Sequence, residues 1–442
     1  MKIKILLLLL PLIFTGFACT KRAEEFKPEP ITLRYWRVFD DSDSMADIIA
    51  AYNATRPHIT IEYKKLRLEE YEKELLDALA EDRGPDILSL PNTWLGSYQT
   101  KLAPIPSQLE KIAIAQGQGN KVVYSLQTLK TKTARELQNE FIDTVYRDAV
   151  FDSQIYGLPL SVDTLALYSN RELLNKASIP EPPRTWSEVQ DAVRKLTVTT
   201  ETGDIIQSGI AMGTTSNISR SADILAMLMM QNGTKIAENG AIQLNDSSNN
   251  SPSTDALIFY TDFASPEKSV YTWNNDQVDA VTAFSQSRVA MMLGYSYHMA
   301  QIKQRNPLIN MSVTPLPQIS AGPYSINIAN YWLEAVSKKS QHQNYAWDFI
   351  LFATRAENIT KYLEKTKHPT ALRALINTQR DDLDIFPFIS QALTAKSWYK
   401  GGNAQVAESA MKETINTALK KEKSPQEALN IASSKIQATL MR

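Results

Sequence analysis

From Ile31 the chain alternates apolar and polar positions through "ITLRYWRVF", a β-branched and aromatic run that predicts a strand. The dense cluster "DDSDS" follows and supplies helix-capping residues. "MADIIAAYNATRP" then places Ile48 and Tyr52 one turn apart, and Pro57 stops the helix. "HITIEYKKL" alternates again as a second strand. In "EEYEKELLDALAEDRG" the apolar residues Tyr71, Leu75 and Leu79 recur every four positions, a helical stripe, with Gly84 expected as its C-cap. "PDILSL" is a short third strand. This β-α-β-α-β order predicts a mostly parallel sheet with helices on its faces.

Residues 107–148 break the pattern. They are polar and weakly periodic, and are expected to form a solvated surface insertion of helical segments around Gly117-Gln118-Gly119. The stretch "YGLPLSVDTLALYSNRELL" then turns at Gly157-Leu158-Pro159 and enters an apolar, extended run of the kind found in buried strands. Asn170 is placed to cap the next helix. Thr185 and Glu188 form a capping box for the one after it. A new α/β unit therefore begins near residue 157. "AMLMM" at 226–230 reads as a helical core stripe, in which methionine fills gaps. Ser424 and Pro425 mark the start of the last helix.

Composition narrows the class. The 442 residues suggest two or three domains or two large lobes. Lys and Arg number 47 against 48 Asp and Glu, with no basic stripe, which argues against nucleic acid as a partner. Only 15 glycines are present, few for a turn-rich all-β protein. The first residues, "MKIKILLLLLPLIFTGFACT", have a basic start, an apolar run too short for a membrane span of about 20 residues, and small residues before Cys19. This is the grammar of an export signal over residues 1–19, and Cys19, the only cysteine, stands where a lipid is attached in bacterial lipoproteins. Residues 20–30, charged and proline-containing, are expected to be a tether.

Several segments in shared order resemble the sugar-type extracellular solute-binding proteins, family 1, of bacterial ABC transporters. They are "IYGLPLSVDTLALYSNRELLNKASIPEPPRTWSEVQDAVRKL", "GPDILSLPNTWLGSY", "ADILAMLMMQNG", "AFSQSRVAMMLGYSY", "PLPQ" and "AWDFILFATRAENITKYLEKTKHPT". Together they cover most of the mature chain. The resemblance implies a two-lobed α/β fold of the type II periplasmic-binding-protein class, each lobe a mostly parallel sheet flanked by helices. It further implies three interlobe crossings, near 155, 318 and 366. The first lobe would comprise 31–156 and 319–365, and the second 157–318 and 366–442. The chain departs from the family pattern at Ser287, Arg288 and Ser169, and in "NIANYWLEAV" near residue 330, positions that bear on the ligand rather than on the fold.

No catalytic signature is present: no phosphate-binding loop, no His-Glu-x-x-His and no Gly-x-Ser-x-Gly. His58, His298, His342 and His368 are scattered, and surface or loop positions are expected rather than metal ligation. A carbohydrate offers flat C–H faces to aromatic rings and hydroxyls to Asp, Asn and Glu. In open α/β sheets ligands bind beyond the carboxyl ends of strands. Trp36, Trp94 and Tyr295 are the aromatic candidates on that basis. Tyr297, two residues on, is expected on the same strand face as Tyr295. That pair would also suit iron, but no companion His or carboxylate cluster accompanies it. Trp332 replaces glycines of the family pattern and would narrow a cleft, and Trp398 stands where the family places a stacking aromatic. Asp40, Asn92 and Asp163 are the polar candidates, Asp163 because a carboxyl inside an apolar run needs a partner. Ordinary core packing or solvation is the competing explanation for each.

The implied activity is capture of a sugar or oligosaccharide by lobe closure and delivery to the permease subunits of an ABC importer. The protein would be an extracytoplasmic, lipid-anchored monomer with no cofactor and no catalysis. Two alternatives stay open: a secreted glycan-active enzyme, which needs a pair of carboxylates that cannot be nominated, and a lipoprotein that presents ligand or binds protein in a sensor system through 107–148.

Overall fold

A computed structural model describes residues 28–116, 122–238, 241–244, 251–320, 322 and 325–440. The export signal, Cys19 and most of the tether lie outside the described residues. The strand Ile31–Arg37 pairs in parallel with Ile59–Lys65 on one side and Ile87–Pro91 on the other. The helices between them, Ser42–Thr55 and Leu68–Ala80, bury the stripes read from the sequence: Ile48 and Tyr52 on the first, Tyr71, Leu75 and Leu79 on the second. The second helix ends at Ala80, and Asp82 takes the left-handed conformation, φ 56°. Gly84 is therefore not its cap. A Cβ there would stand 2.8 Å from a Leu79 methyl, which would have to shift to admit it.

The sheets are mixed rather than mostly parallel. Trp332–Ser337 joins the first sheet antiparallel to Ile87–Pro91, and Leu102–Ala103 and Leu158–Pro159 pair antiparallel with it in turn. In the second sheet, Ile205–Ala211 and Val289–Gly294 are parallel. Ala166–Asn170 runs antiparallel to both Val289–Gly294 and Met311–Pro315. The capping predictions hold locally: Asn170 Oδ1 accepts from the amides of Glu172 and Leu173, and Thr185 and Glu188 form the reciprocal box.

Residues 107–148 differ from expectation. Gln108–Gln116 and Val122–Lys130 form an antiparallel hairpin in register from Gln108↔Lys130 to Gln116↔Val122, and among the described residues of this segment the helices are Ala134–Glu140 and Asp143–Ala149. The hairpin packs its first strand on the helix Gln343–Ala353, burying Leu109 and Ile112.

Two separate cores divide the chain into two lobes. One is built from Leu33 to Val162 and from Ala329 to Ala395. The other runs from Leu165 to Ile328 and resumes at Trp398, with Phe388 as an early contributor. Each change of core falls on one of three short strands, Asp163–Thr164, Asn327–Asn330 and Ala395–Lys396, and these three pair with one another in a small sheet of their own. The crossings thus lie at about 163, 328 and 396, each later than 155, 318 and 366. The physical reason is that Leu158–Pro159 still pairs in the first sheet, and that the helix Ala356–Thr366 still packs in the first core.

Candidate functional site

The carboxyl ends of Ile31–Arg37 and Ile87–Pro91 lie at the same edge of the first sheet. Because Trp332–Ser337 is antiparallel, its first residue reaches that edge too, with Trp332 opposite Pro91. Three aromatic side chains meet there. Phe39 stands edge-on to Trp332 at 5.3 Å between ring centroids, and Trp94 is tilted against it at 6.4 Å. Tyr71 and Tyr98 support the shelf: Tyr71 lies 5.9 Å from Trp332, and Tyr98 stacks on Trp94 at 6.0 Å. Trp94 and Trp332 are half-buried, whereas Phe39 is 57% exposed.

A polar network lies beside this shelf. Arg37, the last residue of its strand, is buried with Nη1 3.0 Å from Asp40 Oδ2 and Nε 3.3 Å from Glu334 Oε1. Its Nε also donates to the Ser89 hydroxyl at 3.2 Å, and Tyr362 donates to Asp40 Oδ2 at 2.8 Å. His368 Nε2 is 3.6 Å from Asp40 Oδ1. Burial alone would raise the Asp40 carboxyl. The Arg37 guanidinium, with His368 and Tyr362, outweighs it and holds the group well below the ordinary carboxylate range. Asp40 is therefore a charged acceptor at neutral pH.

Asp163 stands where the chain enters the second lobe. Its Oδ2 accepts from the Ser296 amide at 2.8 Å and the Ser296 hydroxyl at 2.7 Å, and its Oδ1 from the Thr164 amide at 2.8 Å. Burial pushes its carboxyl up to about 6, against the opposing pull of the Ser296 bonds and His368. His368 thus acts on both Asp40 and Asp163.

On the second lobe the strand Val289–Gly294 ends before Tyr295, so Tyr295 and Tyr297 do not share a strand face. Tyr295 is fully buried and donates to Asp223 Oδ2 at 2.8 Å; Tyr297 opens the helix Tyr297–Arg305 and is 37% exposed. The two rings stack at 5.9 Å. Asp223 also accepts from Trp398 Nε1 at 3.0 Å and Arg220 Nε at 2.8 Å. His298 is buried rather than in a loop. Burial pushes it down to about 4, leaving a neutral ring whose Nδ1 accepts the Tyr295 amide at 3.0 Å. His58 is buried as well.

Not every candidate joins this assembly. Trp36 points to the sheet face opposite Tyr35 and Arg37, half-buried, with Lys64 Nζ 4.5 Å from its ring centre. Asn92 is buried, its amide donating to the Ser397 hydroxyl at 2.7 Å. Trp398 is 7% exposed. Phe39, Arg37, Tyr362, His368, Arg220 and Asp223 were missed. Phe39 sits just past a strand end, as Trp94 does, and that position was the available signal; Tyr362 and His368 arrive from the far end of the chain and gave none. Among the described residues, no group of three or more His, Cys, Asp or Glu is placed to hold a metal ion.

The family described as bacterial extracellular solute-binding protein matches residues 47–380. A galactooligosaccharide-binding protein of Bacillus subtilis is 20% identical over 347 residues, 77% of this chain and 73% of that protein. A binding protein of Brucella abortus is 36% identical, but over 61 residues that span only 15% of its length. Among solved structures, the cyclic alpha-maltosyl-1,6-maltose binding protein of Arthrobacter globiformis superposes with a TM-score of 0.72 at 18% identity, covering 93% of this chain and 99% of that one. An ABC transporter solute-binding protein of Thermotoga lettingae, bound with alpha-D-tagatose, gives 0.68 at 19% identity, covering 92% and 99%. These likenesses carry the two-lobed fold.

Proposed function

Because this chain belongs to the bacterial extracellular solute-binding protein family, we propose that it captures a sugar or oligosaccharide between its lobes and delivers it to the permease of an ABC importer. The observation that carries the reading is the shelf of Phe39, Trp94 and Trp332 at the sheet edge, with the charged Asp40 beside it. Flat rings receive the C–H faces of a pyranose, and the carboxylate accepts from its hydroxyls. Tyr297 would supply the facing ring from the second lobe, and Asp163 a further acceptor at the hinge. Trp36, Asn92, Tyr295 and Trp398 serve as structural supports in this arrangement rather than as contacts. The bound solute favours the closed arrangement by its differential affinity for it. Relatives whose names specify galactooligosaccharide and maltosyl ligands support the carbohydrate class. Delivery would be from the outer face of the membrane, with a monomer tethered through acylated Cys19.

Thermal unfolding of residues 25–442 against galactooligosaccharides, maltodextrins, arabinooligosaccharides, monosaccharides and amino acids tests this. A true ligand at 100 times its Kd adds about 2.7 kcal/mol and raises the midpoint. No shift with any carbohydrate, or turnover of one, defeats the proposal.

A further inference from the structure

Asp148 takes no part in the aromatic shelf, yet it is buried and densely bonded. It lies on the first-lobe helix Asp143–Ala149 and is 2% exposed. Its Oδ2 accepts from the Tyr331 hydroxyl at 2.6 Å, from the Ser397 hydroxyl, and at longer range from Thr144 Oγ1 and Asn92 Nδ2, 3.4 and 3.5 Å. Lys400 Nζ lies 3.2 Å from Oδ1 and donates to the Arg147 carbonyl at 2.8 Å. Tyr331 directly follows the second crossing strand, and Ser397 and Lys400 follow the third. One carboxylate therefore ties the exits of two crossings to the first lobe.

Between Ser397 and Lys400 stand two residues of the second core. Trp398 Nε1 is bonded to Asp223 Oδ1 at 3.0 Å, and the Tyr399 hydroxyl donates to Thr439 Oγ1 at 2.8 Å. Four consecutive residues thus hold the first lobe, the second, the second and the first. The next turn is pressed close as well: a Cβ on Gly96 of the first lobe would stand 2.8 Å from the Gly401 carbonyl oxygen. A segment fixed to both bodies at adjacent residues cannot slide when they move apart. It is placed to move least when they turn relative to one another.

We infer that Ser397–Lys400 is the pivot of lobe rotation and that Asp148 is its positioning residue, holding the segment to the first lobe while Asp223 holds it to the second. The inference rests on the reading that the lobes close on a solute, but its test needs no solute. Backbone hydrogen exchange is followed in the ligand-free protein, together with the radius of gyration from solution scattering. Wild type is compared with Asp148→Asn and with the double variant Ser397→Ala, Lys400→Met, which removes only the contacts that Asp148 makes with this segment, from its partially exposed side, should the first variant fail to fold. The expected result is exchange at 397–402 faster by about tenfold or more, with Ile87–Pro91 and Val289–Gly294 unchanged, and a larger radius of gyration. Unchanged exchange at 397–402 overturns the inference. So does an equal rise in both lobes, which is plain destabilisation. Faster local exchange with an unchanged radius overturns it too, since the contacts would then hold a loop and not the lobes. Failure of every carbohydrate to bind would leave these outcomes readable and would count against the proposed function alone.

Discussion

Asp163 accepts both the backbone amide and the hydroxyl of Ser296, at 2.8 and 2.7 Å, so that a carboxyl on a crossing strand grips the first turn of a second-lobe helix. Burial raises that carboxyl from 3.8 to about 6. The native state therefore keeps a proton that the unfolded chain has released across this interval. The stability Asp163 contributes through this proton is fully present below pH 3.8 and is lost as pH rises to about 6. Unfolding midpoints of wild type and Asp163→Asn, measured from pH 4 to 7, should show the wild type losing ground to the variant as pH rises. A pH-independent difference between them would refute this account.

Arg37 is a buried cation between two acidic partners. Replacing it with Met leaves Glu334 buried without its counter-charge and Asp40 with His368 alone, 3.6 Å away. Removing one partner of such a group costs about 3–5 kcal/mol. Denaturant unfolding should report a loss of that order, and Tyr362→Phe, which deletes one neutral donor, about 1 kcal/mol. Equal effects from the two would mean the charge is not what matters.

Phe39 allows the proposed binding role of the shelf to be tested apart from stability. It is the exposed member of the shelf, so Phe39→Ala should change stability by no more than about 0.5 kcal/mol. Affinity for the carbohydrate found in the panel should fall about tenfold, or 1.4 kcal/mol. Calorimetric titration gives the affinity, and an unchanged value would remove Phe39 from the site.

Thr185→Ala tests the capping box by itself. The helix Trp186–Leu196 packs Val189, Val193 and Leu196 into the second core. Loss of the cap should cost about 1 kcal/mol in the unfolding of that lobe. Affinity for any carbohydrate found in the panel should be unaffected.

The features legible in the sequence were those written in neighbouring residues. The β-α-β-α-β opening, the caps at Asn170 and Thr185, and the stripe Tyr71, Leu75, Leu79 each depend on residues a few positions apart. The hairpin was not legible because the segment is polar and weakly periodic, and because its stabilising register lies between strands and not within either. The mixed sheet was hidden for a similar reason: the strand that reverses direction, Trp332–Ser337, finds its partner in Ile87–Pro91 far upstream. Among the candidates, Trp94 could be nominated because strand ends are where such folds meet ligands, and Trp332 because it stands in place of glycines of the family pattern. Tyr295 was misplaced by a boundary: its strand stops one residue earlier, and the alternation used to orient it no longer applies. Tyr362 and His368 reach Asp40 only through the tertiary fold.

The interleaving of the two cores also governs how the molecule can be made. Ser89 and Glu334 are neighbours across the first sheet yet are separated by 245 positions in the chain. During synthesis the opening strands leave the ribosome long before the strand that completes their sheet exists. The first lobe therefore cannot finish until most of the second has been made, unlike the order typical of sequential domains. Its late-arriving strand makes completion wait on a distant contact, the kind of pairing that slows folding. Until then the edge formed by Ile87–Pro91 is exposed, and an export pathway that keeps the chain unfolded until it is whole suits this topology.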